Sequence, residues 1–433
     1  MIIHVVQAGE TTGEIADKYG ISEERLILDN NIQDPDNLAV GETLVILIPR
    51  ITHIVQEGET LYEIANRYGI TEQQLLRNNS FLSDRDLIHP GEMIVISYEG
   101  EKIGALSTFG YTYPYINTAV LRRTLPFLTY ITVYSYTFTD TGSINDIDDL
   151  RIIDLAKEYQ VAPIMMLSSV DINQNTESNT IQNLLINKES QDQLIYNVLN
   201  ILRTKGYYGV NFNVSYILPQ NRNDFVDFMI RFSLILKSEG FAFIFNTLSL
   251  STFEIMTGIV YEGFAYSQLT HYVDGLILMT YEWGNFIGIP TGIISFNNIR
   301  NYVLYMSERF PPEKMYIGIP ILGHLWELPF ILGISRGLAV SSNSAVELSK
   351  NMNADIHYDE VSKTAYYQYI SDREYIVRFR DARSIYEYLN LVNEFGLSGV
   401  SIWNIMQYDP QLWLVINSLY DINKIPSNMA SVS

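Results

Sequence analysis

Eight short apolar runs, separated by longer amphipathic segments, occupy the chain from about residue 103 onward and restrict its possible folds more than any other feature. The runs are rich in β-branched and aromatic residues and lie at 104–111, 130–138, 162–170, 208–215, 241–249, 274–283, 315–323 and 399–406. Buried strands that alternate with helical segments such as DQLIYNVLNILRTKG form a parallel sheet, and eight strand–helix units close into a barrel. The sequence therefore predicts an α/β fold in which residues 103–425 form a (β/α)8 TIM barrel.

The interval between the seventh and eighth runs is longer than the others and has a different pattern. Residues 356–384 have the pattern of antiparallel strands, so we expect a small insertion around residues 333–380, beside the barrel opening. Function in barrels of this kind is built at the C-terminal ends of the strands. The candidate functional residues are therefore those that end each apolar run.

The N-terminal part contains an internal repeat. HVVQAGETTGEIADKYGISEERLILDNNI at 4–32 returns as HIVQEGETLYEIANRYGITEQQLLRNNSF at 53–81. Each copy has the pattern strand, helix, helix, strand, in which GET supplies a turn and a helix cap and Ser22 is the expected N-cap of a second helix. The repeat predicts two small βααβ modules, residues 1–49 and 50–98.

Each copy resembles the LysM module through the motifs V-x-x-G-E-T and I-A-x-x-Y-G-I, a central asparagine and a G-E pair before the last strand. The resemblance implies binding of N-acetylglucosamine in peptidoglycan or chitin, in a shallow groove between the loop after the first strand and the loop after the second helix. Carried over by position, the glycan-binding candidates are Gly9, Glu10, Thr11, Asp29, Asn30, Gly58, Glu59, Thr60, Asn78 and Asn79. These residue types also form turns and caps, so both roles stay open at each position.

Charge and composition restrict the partners. The formal net charge is −21, which argues against a nucleic acid partner. The chain has no cysteine, and its six histidines show no metal-binding spacing, so we expect no metal and no cofactor. The N-terminus lacks the basic and apolar regions of a secretory signal peptide, and no stretch approaches the roughly 20 apolar residues of a membrane span. We therefore expect synthesis in the cytosol and no membrane insertion.

The barrel region resembles glycoside hydrolase family 18. The matching pieces are LTYITVYSYTFTDTGSI, GYYGVNFN, MTYEWG, FPPEKMYIGIP, FRDARSI and GLSGVSIWNIM. Two LysM modules followed by such a barrel are similar to the spore cortex-lytic N-acetylglucosaminidases of spore-forming bacteria. The resemblance implies two carboxylates, two residues apart on one strand and therefore on one face. In that family, the resemblance implies, the outer glutamate protonates the glycosidic oxygen and the inner aspartate orients the acetamido group of the substrate.

This sequence departs from that pattern at the catalytic positions. Asn213 stands where the resemblance places the aspartate, and Ser215 stands where it places the glutamate. An amide carries no negative charge, and a serine hydroxyl is too weak an acid to protonate a leaving group. Leu322 and Leu325 also replace a tyrosine and an aspartate that are typical of this branch. We therefore expect no catalytic residue at these positions; Glu282 is the best-placed substitute acid, and its other interpretation is a sugar-binding carboxylate at the groove rim.

Other polar and aromatic residues at strand ends suit a sugar-binding groove. The resemblance makes Trp403 the floor under the sugar, and aromatic faces provide flat apolar surface there. The predicted substrate-binding residues are Asn211, Asn213, Tyr281, Glu282, Trp326 and Trp403.

The sequence as a whole favours a spore protein that binds N-acetylglucosamine-containing cell-wall glycan through LysM modules and a degenerate, inactive glycosidase barrel. Two alternatives remain open. One is an active N-acetylglucosaminidase that cleaves spore cortex peptidoglycan with a non-standard acid. The other is a structural protein that binds other spore-coat proteins. In each case we expect the chain to be made in the mother-cell cytosol and deposited on the spore coat or cortex.

Overall fold

A computed structural model of the chain describes residues 1–83, 85, 87–169, 179–214, 216–248, 266–280, 295–331 and 334–425. The N-terminal part forms two compact units of the predicted order strand, helix, helix, strand, here called module 1 (residues 1–48) and module 2 (residues 49–98). Module 1 consists of β1 (Ile2–Val5), α1 (Thr12–Tyr19), α2 (Glu23–Asn30) and β2 (Thr43–Ile46). Module 2 consists of β3 (Pro49–Ile54), α3 (Leu61–Tyr68), α4 (Glu72–Asn78) and β4 (Met93–Tyr98).

The helix caps in the modules follow directly from the repeated sequence. In α1 and α3, Thr11 and Thr60 accept hydrogen bonds from the backbone N–H groups of Glu14 and Glu63, whose carboxylates bind back to the cap residues. Ser22 caps α2 by accepting from the backbone of Arg25, which confirms the prediction made for it. In each module the two strands pair antiparallel and contribute to a small apolar core.

Eight of the described strands form a closed parallel barrel, as predicted from the apolar runs. In chain order the strands from residue 104 to residue 320 are β5 (Gly104–Thr112), β6 (Tyr130–Phe138), β7 (Ile144–Asn145), β8 (Ala162–Ser168), β9 (Gly209–Asn213), β10 (Ala242–Asn246), β11 (Gly275–Leu278) and β12 (Met315–Pro320). The outer helices over this range are α5 (Thr118–Thr124), α6 (Leu150–Glu158), α7 (Thr180–Ile186), α8 (Lys188–Lys205), α9 (Arg222–Ser238) and α10 (Phe296–Ser307). The short strand β7 pairs antiparallel with β6 outside the barrel.

An inserted sheet separates the seventh barrel strand from the eighth. It contains β13 (Leu322–Glu327), β14 (Leu338–Ser341), β15 (His357–Asp359), β16 (Thr364–Ile370) and β17 (Glu374–Phe379), with α11 (Ser342–Met352) packed against it. The sequence placed this insertion around residues 333–380, whereas the sheet begins at Leu322. The reason is that Leu322–Glu327 leaves the barrel after Pro320 and pairs antiparallel with β14 and β17.

The chain then returns to the barrel. The remaining elements are α12 (Ala382–Phe395), β18 (Gly399–Trp403), α13 (Pro410–Leu419) and β19 (Tyr420–Ile422). The barrel closes because β18 pairs with both β12 and β5, and β19 adds to the other end of β5. A large apolar core lies between the strands and the outer helices, and a smaller cluster that includes Phe109, Tyr111 and Tyr316 fills the barrel interior.

Buried polar contacts fix the two modules to each other and to the barrel. Arg25 of module 1 donates to Asn79 of module 2 over 2.9 Å and also contacts the Asn78 carbonyl and the Tyr98 hydroxyl. In turn, Asn417 of α13 donates to the side chain of Asn78 over 3.0 Å. The modules are therefore part of the packed structure rather than separate domains on flexible linkers.

Module 1 also contacts the insertion and helix α13. The backbone N–H of Ile356 donates to the carbonyl of Val40 over 2.8 Å, and Thr43 contacts Gln411 at the start of α13 over 2.7 Å. Gly41 has a φ of +85°, and a Cβ at this position would lie 1.9 Å from the Ile356 carbonyl oxygen. Glycine is therefore required here both for the backbone conformation and for the close approach of the two surfaces.

Candidate functional site

A network of neutral amides lies at the C-terminal ends of neighbouring barrel strands. Asn211 and Asn213 project from the same face of β9 because side chains alternate along a strand. The Nδ2 group of Asn211 donates to Asn246 Oδ1 over 2.8 Å, and Asn246 Nδ2 donates to Asn213 Oδ1 over 3.1 Å. The Tyr111 hydroxyl donates to Asn246 Oδ1 over 3.2 Å. All four side chains are buried, and none of the four carries a formal charge.

Three of the predicted site residues fall outside the part of the chain that the structure describes. They are Ser215, Tyr281 and Glu282. The roles that the sequence suggests for them stay predictions.

Trp403 ends the last barrel strand and belongs to an aromatic cluster at the barrel opening. Its ring centroid lies 5.4 Å from those of Tyr111 and Tyr134 and 6.2 Å from that of Tyr113. The residue is partly buried, so it keeps some accessible surface. This position suits the predicted role as a platform for a sugar ring, which stays a prediction.

A pocket of about 270 Å³ adjoins this cluster. It lies between the barrel loops and the inserted sheet and is lined by, among others, Tyr113, Tyr115, Leu322 and Asn404. Tyr113 and Tyr115 stack with their centroids 5.5 Å apart, and Tyr115 is 74% exposed. The barrel opening therefore offers aromatic surface beyond Trp403.

The structure corrects the prediction that Trp326 binds substrate. Trp326 lies on β13 in the inserted sheet, not at the end of a barrel strand, and its exposed fraction is 0%. Its indole packs so closely against Gly337 that a Cβ there would lie 2.7 Å from the ring. The residue is a packing residue of the insertion because the chain leaves the barrel before reaching it.

The glutamates of the two GET motifs stabilise their own turns. Glu59 accepts from the backbone N–H of Gln56 over 2.8 Å and lies 2.7 Å from Nε2 of His53. Glu10 makes the same contacts in module 1, with distances of 2.8 and 2.9 Å. The glycines before them, Gly9 and Gly58, have φ angles of +85° and +81°, which explains glycine at both positions. Glycan binding by these loops, including Thr11 and Thr60, stays a prediction.

The contacts of Glu59 predict a pH-dependent stability. The backbone N–H of Gln56 and the ring of His53 lower the pKa of Glu59 from its ordinary 4.5 to about 2. The unfolded chain then binds more protons than the folded chain between these values, so the stabilisation is present above about pH 4.5 and is lost as the pH falls towards 2. We expect the Glu59→Gln variant to lose this part of the pH dependence in urea unfolding series at pH 7, 4 and 3.

Glu57→Gln is the matched control, because Glu57 is an exposed glutamate of the same loop. Its unfolding midpoints should follow those of the unaltered protein across the series. Equal pH profiles for Glu59→Gln and the unaltered protein would contradict the role assigned to Glu59.

The side chains predicted to bind glycan after the second helix of each module are buried. They are Asp29, Asn30, Asn78 and Asn79. Asn30 accepts from the backbone N–H of Val45 over 2.7 Å and donates to its carbonyl over 3.0 Å, and Asn79 makes the same pair of bonds with Val95 over 2.8 and 2.7 Å. These bonds fasten the last strand of each module to its second helix.

Asp29 and Asn78 serve the contacts between modules and barrel. Asp29 pairs with Arg25 over 2.7 Å, and Asn78 binds Asn417. The structure therefore gives all four side chains a structural role, and contact of these residues with glycan stays a prediction.

Sequence reasoning did not select Tyr111 or Tyr113, and it placed Asn246 among the strand ends to inspect without predicting a role for it. Asn246 is the last residue of β10, within the apolar run at 241–249. The two tyrosines become site residues only through the pairing of β5 with β18, which places them beside Trp403.

Within the described parts of the chain, no group of three or more histidine and acidic side chains could hold a metal ion. No helix in the same parts is long and apolar enough to cross a membrane.

Comparisons with known proteins agree with this architecture. The family model "Glycosyl hydrolases family 18" matches residues 107–409, and the model "LysM domain" matches residues 4–47 and 53–97. The Cortical fragment-lytic enzyme of Bacillus subtilis (strain 168) is 31% identical over 435 residues, covering 98% of this chain and 99% of that protein. The Cortical fragment-lytic enzyme of Bacillus cereus is 29% identical over 433 residues with the same coverage.

A solved structure is similar over the same extent. The crystal structure of the Bacillus cereus spore cortex-lytic enzyme SleL has a TM-score of 0.79 to this chain at 26% identity, covering 98% of both chains. The comparisons confirm both family resemblances. The replacement of the two catalytic carboxylates stays a prediction.

Proposed function

Because the chain belongs to the glycosyl hydrolases of family 18 and carries two LysM domains, we propose that it binds N-acetylglucosamine-containing glycan of spore peptidoglycan without cleaving it. Relatives named as cortical fragment-lytic enzymes match it over nearly their whole length, which supports spore cortex glycan as the ligand class. We also propose that the protein is located at the spore coat or cortex. The observation that carries the proposal is the neutral amide network around Asn213.

The network explains how a ligand could be held and not cut. Asn213 accepts a hydrogen bond through Oδ1 from Asn246, so its Nδ2 group can donate to the acetamido oxygen of a glycan. Cleavage with help from the acetamido group would create positive charge on the substrate, and a buried amide provides no negative charge to stabilise it. The hydroxyl that the sequence places at position 215 cannot supply the proton for the leaving group. Binding contacts are therefore retained while both parts of the chemistry are missing.

The aromatic residues at the barrel opening supply the remaining binding surface. Trp403 and the stacked pair Tyr113 and Tyr115 present flat apolar faces beside the 270 Å³ pocket. Such surfaces contribute binding energy without charge, which suits a neutral sugar.

We expect the unaltered protein to bind an N-acetylglucosamine tetramer in calorimetry and to release no reducing ends from cortical fragments above a blank. The Trp403→Ala variant should bind the tetramer about tenfold more weakly, because an aromatic anchor at the centre of a binding surface carries much of the affinity. Tyr196→Ala is the control: Tyr196 lies on the outer helix α8 and is 67% exposed, so its removal should leave the affinity unchanged.

The names of the full-length relatives favour a second candidate, an active N-acetylglucosaminidase. Release of reducing ends by the unaltered protein, abolished by Glu282→Gln, would support that enzyme and contradict our proposal. Absence of any binding to the tetramer or to purified peptidoglycan would instead favour a structural protein that binds other spore-coat proteins.

A further inference from the structure

The two modules differ at the loop that follows their second helix. Module 1 has Asn31, Ile32 and Gln33 where module 2 has Ser80, Phe81 and Leu82. In module 2 these residues form a short 3₁₀ turn in which Ser80 and Leu82 are 8% and 1% exposed. The Arg25 guanidinium of module 1 lies 5.6 Å from the centre of the Phe81 ring and helps to cover the turn. The loop of module 2 is therefore packed against other parts of the protein.

The loop of module 1 remains accessible and faces the inserted sheet. It lines a crevice of about 80 Å³ together with helix α11 and the start of α13. The polar lining includes the amide side chains of Asn31, Gln33, Asn343 and Gln411. Three charged side chains also line the crevice, and they lie close to one another: Lys350 is paired with Glu347 over 2.9 Å and lies 3.9 Å from Glu42. Amide groups of this kind suit the hydroxyl and acetamido groups of an uncharged sugar.

Direct contacts hold the two sides of this crevice together. The backbone bond from Ile356 to Val40 and the close approach at Gly41 hold module 1 against the insertion. A preformed site binds with a smaller loss of conformational freedom than a mobile one.

One residue connects the crevice to the barrel opening. Asn343, in the first turn of α11, is exposed and lines both the 80 Å³ crevice and the 270 Å³ pocket beside Tyr113 and Asn404. The smaller volume lies well below the roughly 300–1,000 Å³ of sites that enclose a whole ligand. It can therefore accept a substituent of a chain that lies across it, while the larger pocket accepts more of the same chain.

We propose that the loop of module 1, helix α11 and the pocket at the barrel opening form one continuous binding track for an N-acetylglucosamine oligomer, and that module 2 holds module 1 in place without joining the track. This inference rests on the proposed function, since it assigns a path to the same glycan. In this proposal the insertion is part of the binding surface, module 1 binds glycan and module 2 has a structural role.

The test uses the full chain and N-acetylglucosamine dimers and hexamers as probes. We expect Asn343→Trp to lower the affinity for the hexamer by about tenfold, because the indole would obstruct the junction of crevice and pocket, and to affect the dimer less. Asn351→Trp is the matched control: Asn351 is an exposed asparagine near the other end of α11, outside the lining of either cavity. Gln33→Leu, which gives module 1 the residue found at position 82 in module 2, should also weaken hexamer binding.

The outcomes separate the two proposals. Hexamer binding by Asn343→Trp equal to that of Asn351→Trp would overturn the track and leave glycan binding itself intact. No hexamer binding by the unaltered protein would overturn both.

Discussion

Replacing Asn213 with aspartate and Ser215 with glutamate in the same chain should bring glycan cleavage above the blank and raise its rate by a factor of about 10²–10⁴ over any residual activity of the unaltered protein. Aspartate has the shape of asparagine, so at position 213 it can accept the hydrogen bond that Asn246 Nδ2 now donates over 3.1 Å. The new negative charge would accept from Asn246, whose own Oδ1 accepts from the Tyr111 hydroxyl. Glutamate at position 215 would supply the missing acid.

The measurement is the release of reducing ends from cortical fragments, with tetramer affinity followed in parallel. The matched control combines Asn213→Asp with Ser215→Gln, which has the size of the restored pair but no acid, and it should stay at the blank. A restored pair that binds the tetramer and cleaves no faster than this control would show that the surroundings, including Leu322 and Leu325, no longer support the reaction. Cleavage by the unaltered chain at the restored rate would contradict the proposal that its site is inactive.

The second large effect concerns stability. Arg25→Met should lower the free energy of unfolding by about 3–5 kcal/mol, because it would leave a buried carboxylate without its partner. Arg25 is 3% exposed, donates to Asp29 over 2.9 Å and to Asn79 over 2.9 Å, and also contacts Tyr98. Burial alone would lower the pKa of Arg25, but the charge of Asp29, the Tyr98 hydroxyl and the hydrogen bonds to both residues together outweigh burial and raise it, so the guanidinium is charged.

Urea unfolding followed by tryptophan fluorescence measures this loss. Arg25→Met combined with Asp29→Asn should lose less stability than the sum of the two single variants, because removing both charges leaves no unpaired ion. Arg203→Met is the control, since Arg203 pairs with Glu239 on the surface at 51% exposure, and its loss should stay below about 1 kcal/mol. A loss for Arg25→Met as small as that of the control would contradict the proposed role of Arg25 at the junction of the modules.

Local sequence signals predicted the elements of this fold well. The helix caps at Thr11, Ser22 and Thr60 depend on bonds to residues three positions away, so the local sequence is sufficient to find them. The eight barrel strands were visible because each is a buried apolar run between amphipathic segments.

Features that depend on distant parts of the chain were not predictable in the same way. Ile321 and Leu322 are apolar, so the pattern does not show that the barrel strand ends at Pro320 and that a different sheet follows. For that reason Trp326 was wrongly assigned to the groove. The burial of Arg25 was equally hidden, because its partners Asn79 and Tyr98 lie in the other module.

The candidate site shows the same division. Asn211 and Asn213 were identified from one strand, because the alternation of side chains places them on one face. Their bonding to Asn246 and Tyr111 requires the neighbouring strands β10 and β5, which only the closed barrel brings together. The site residues of one strand could thus be identified from the sequence, whereas their hydrogen-bond partners on other strands could not.

The fastening of the modules to the barrel affects how the protein can be dissected by truncation. A cut near residue 98 would strip Asn417 of its contact with Asn78, Gln411 of its contact with Thr43, and the Pro126 carbonyl of the hydrogen bond that Arg77 donates. Both fragments would then expose polar groups that are satisfied in the intact chain. A loss of solubility or affinity in a shortened barrel could therefore result from the newly exposed surfaces as well as from missing sugar contacts. Single substitutions in the full chain are the better way to determine what the modules and the barrel each contribute to binding.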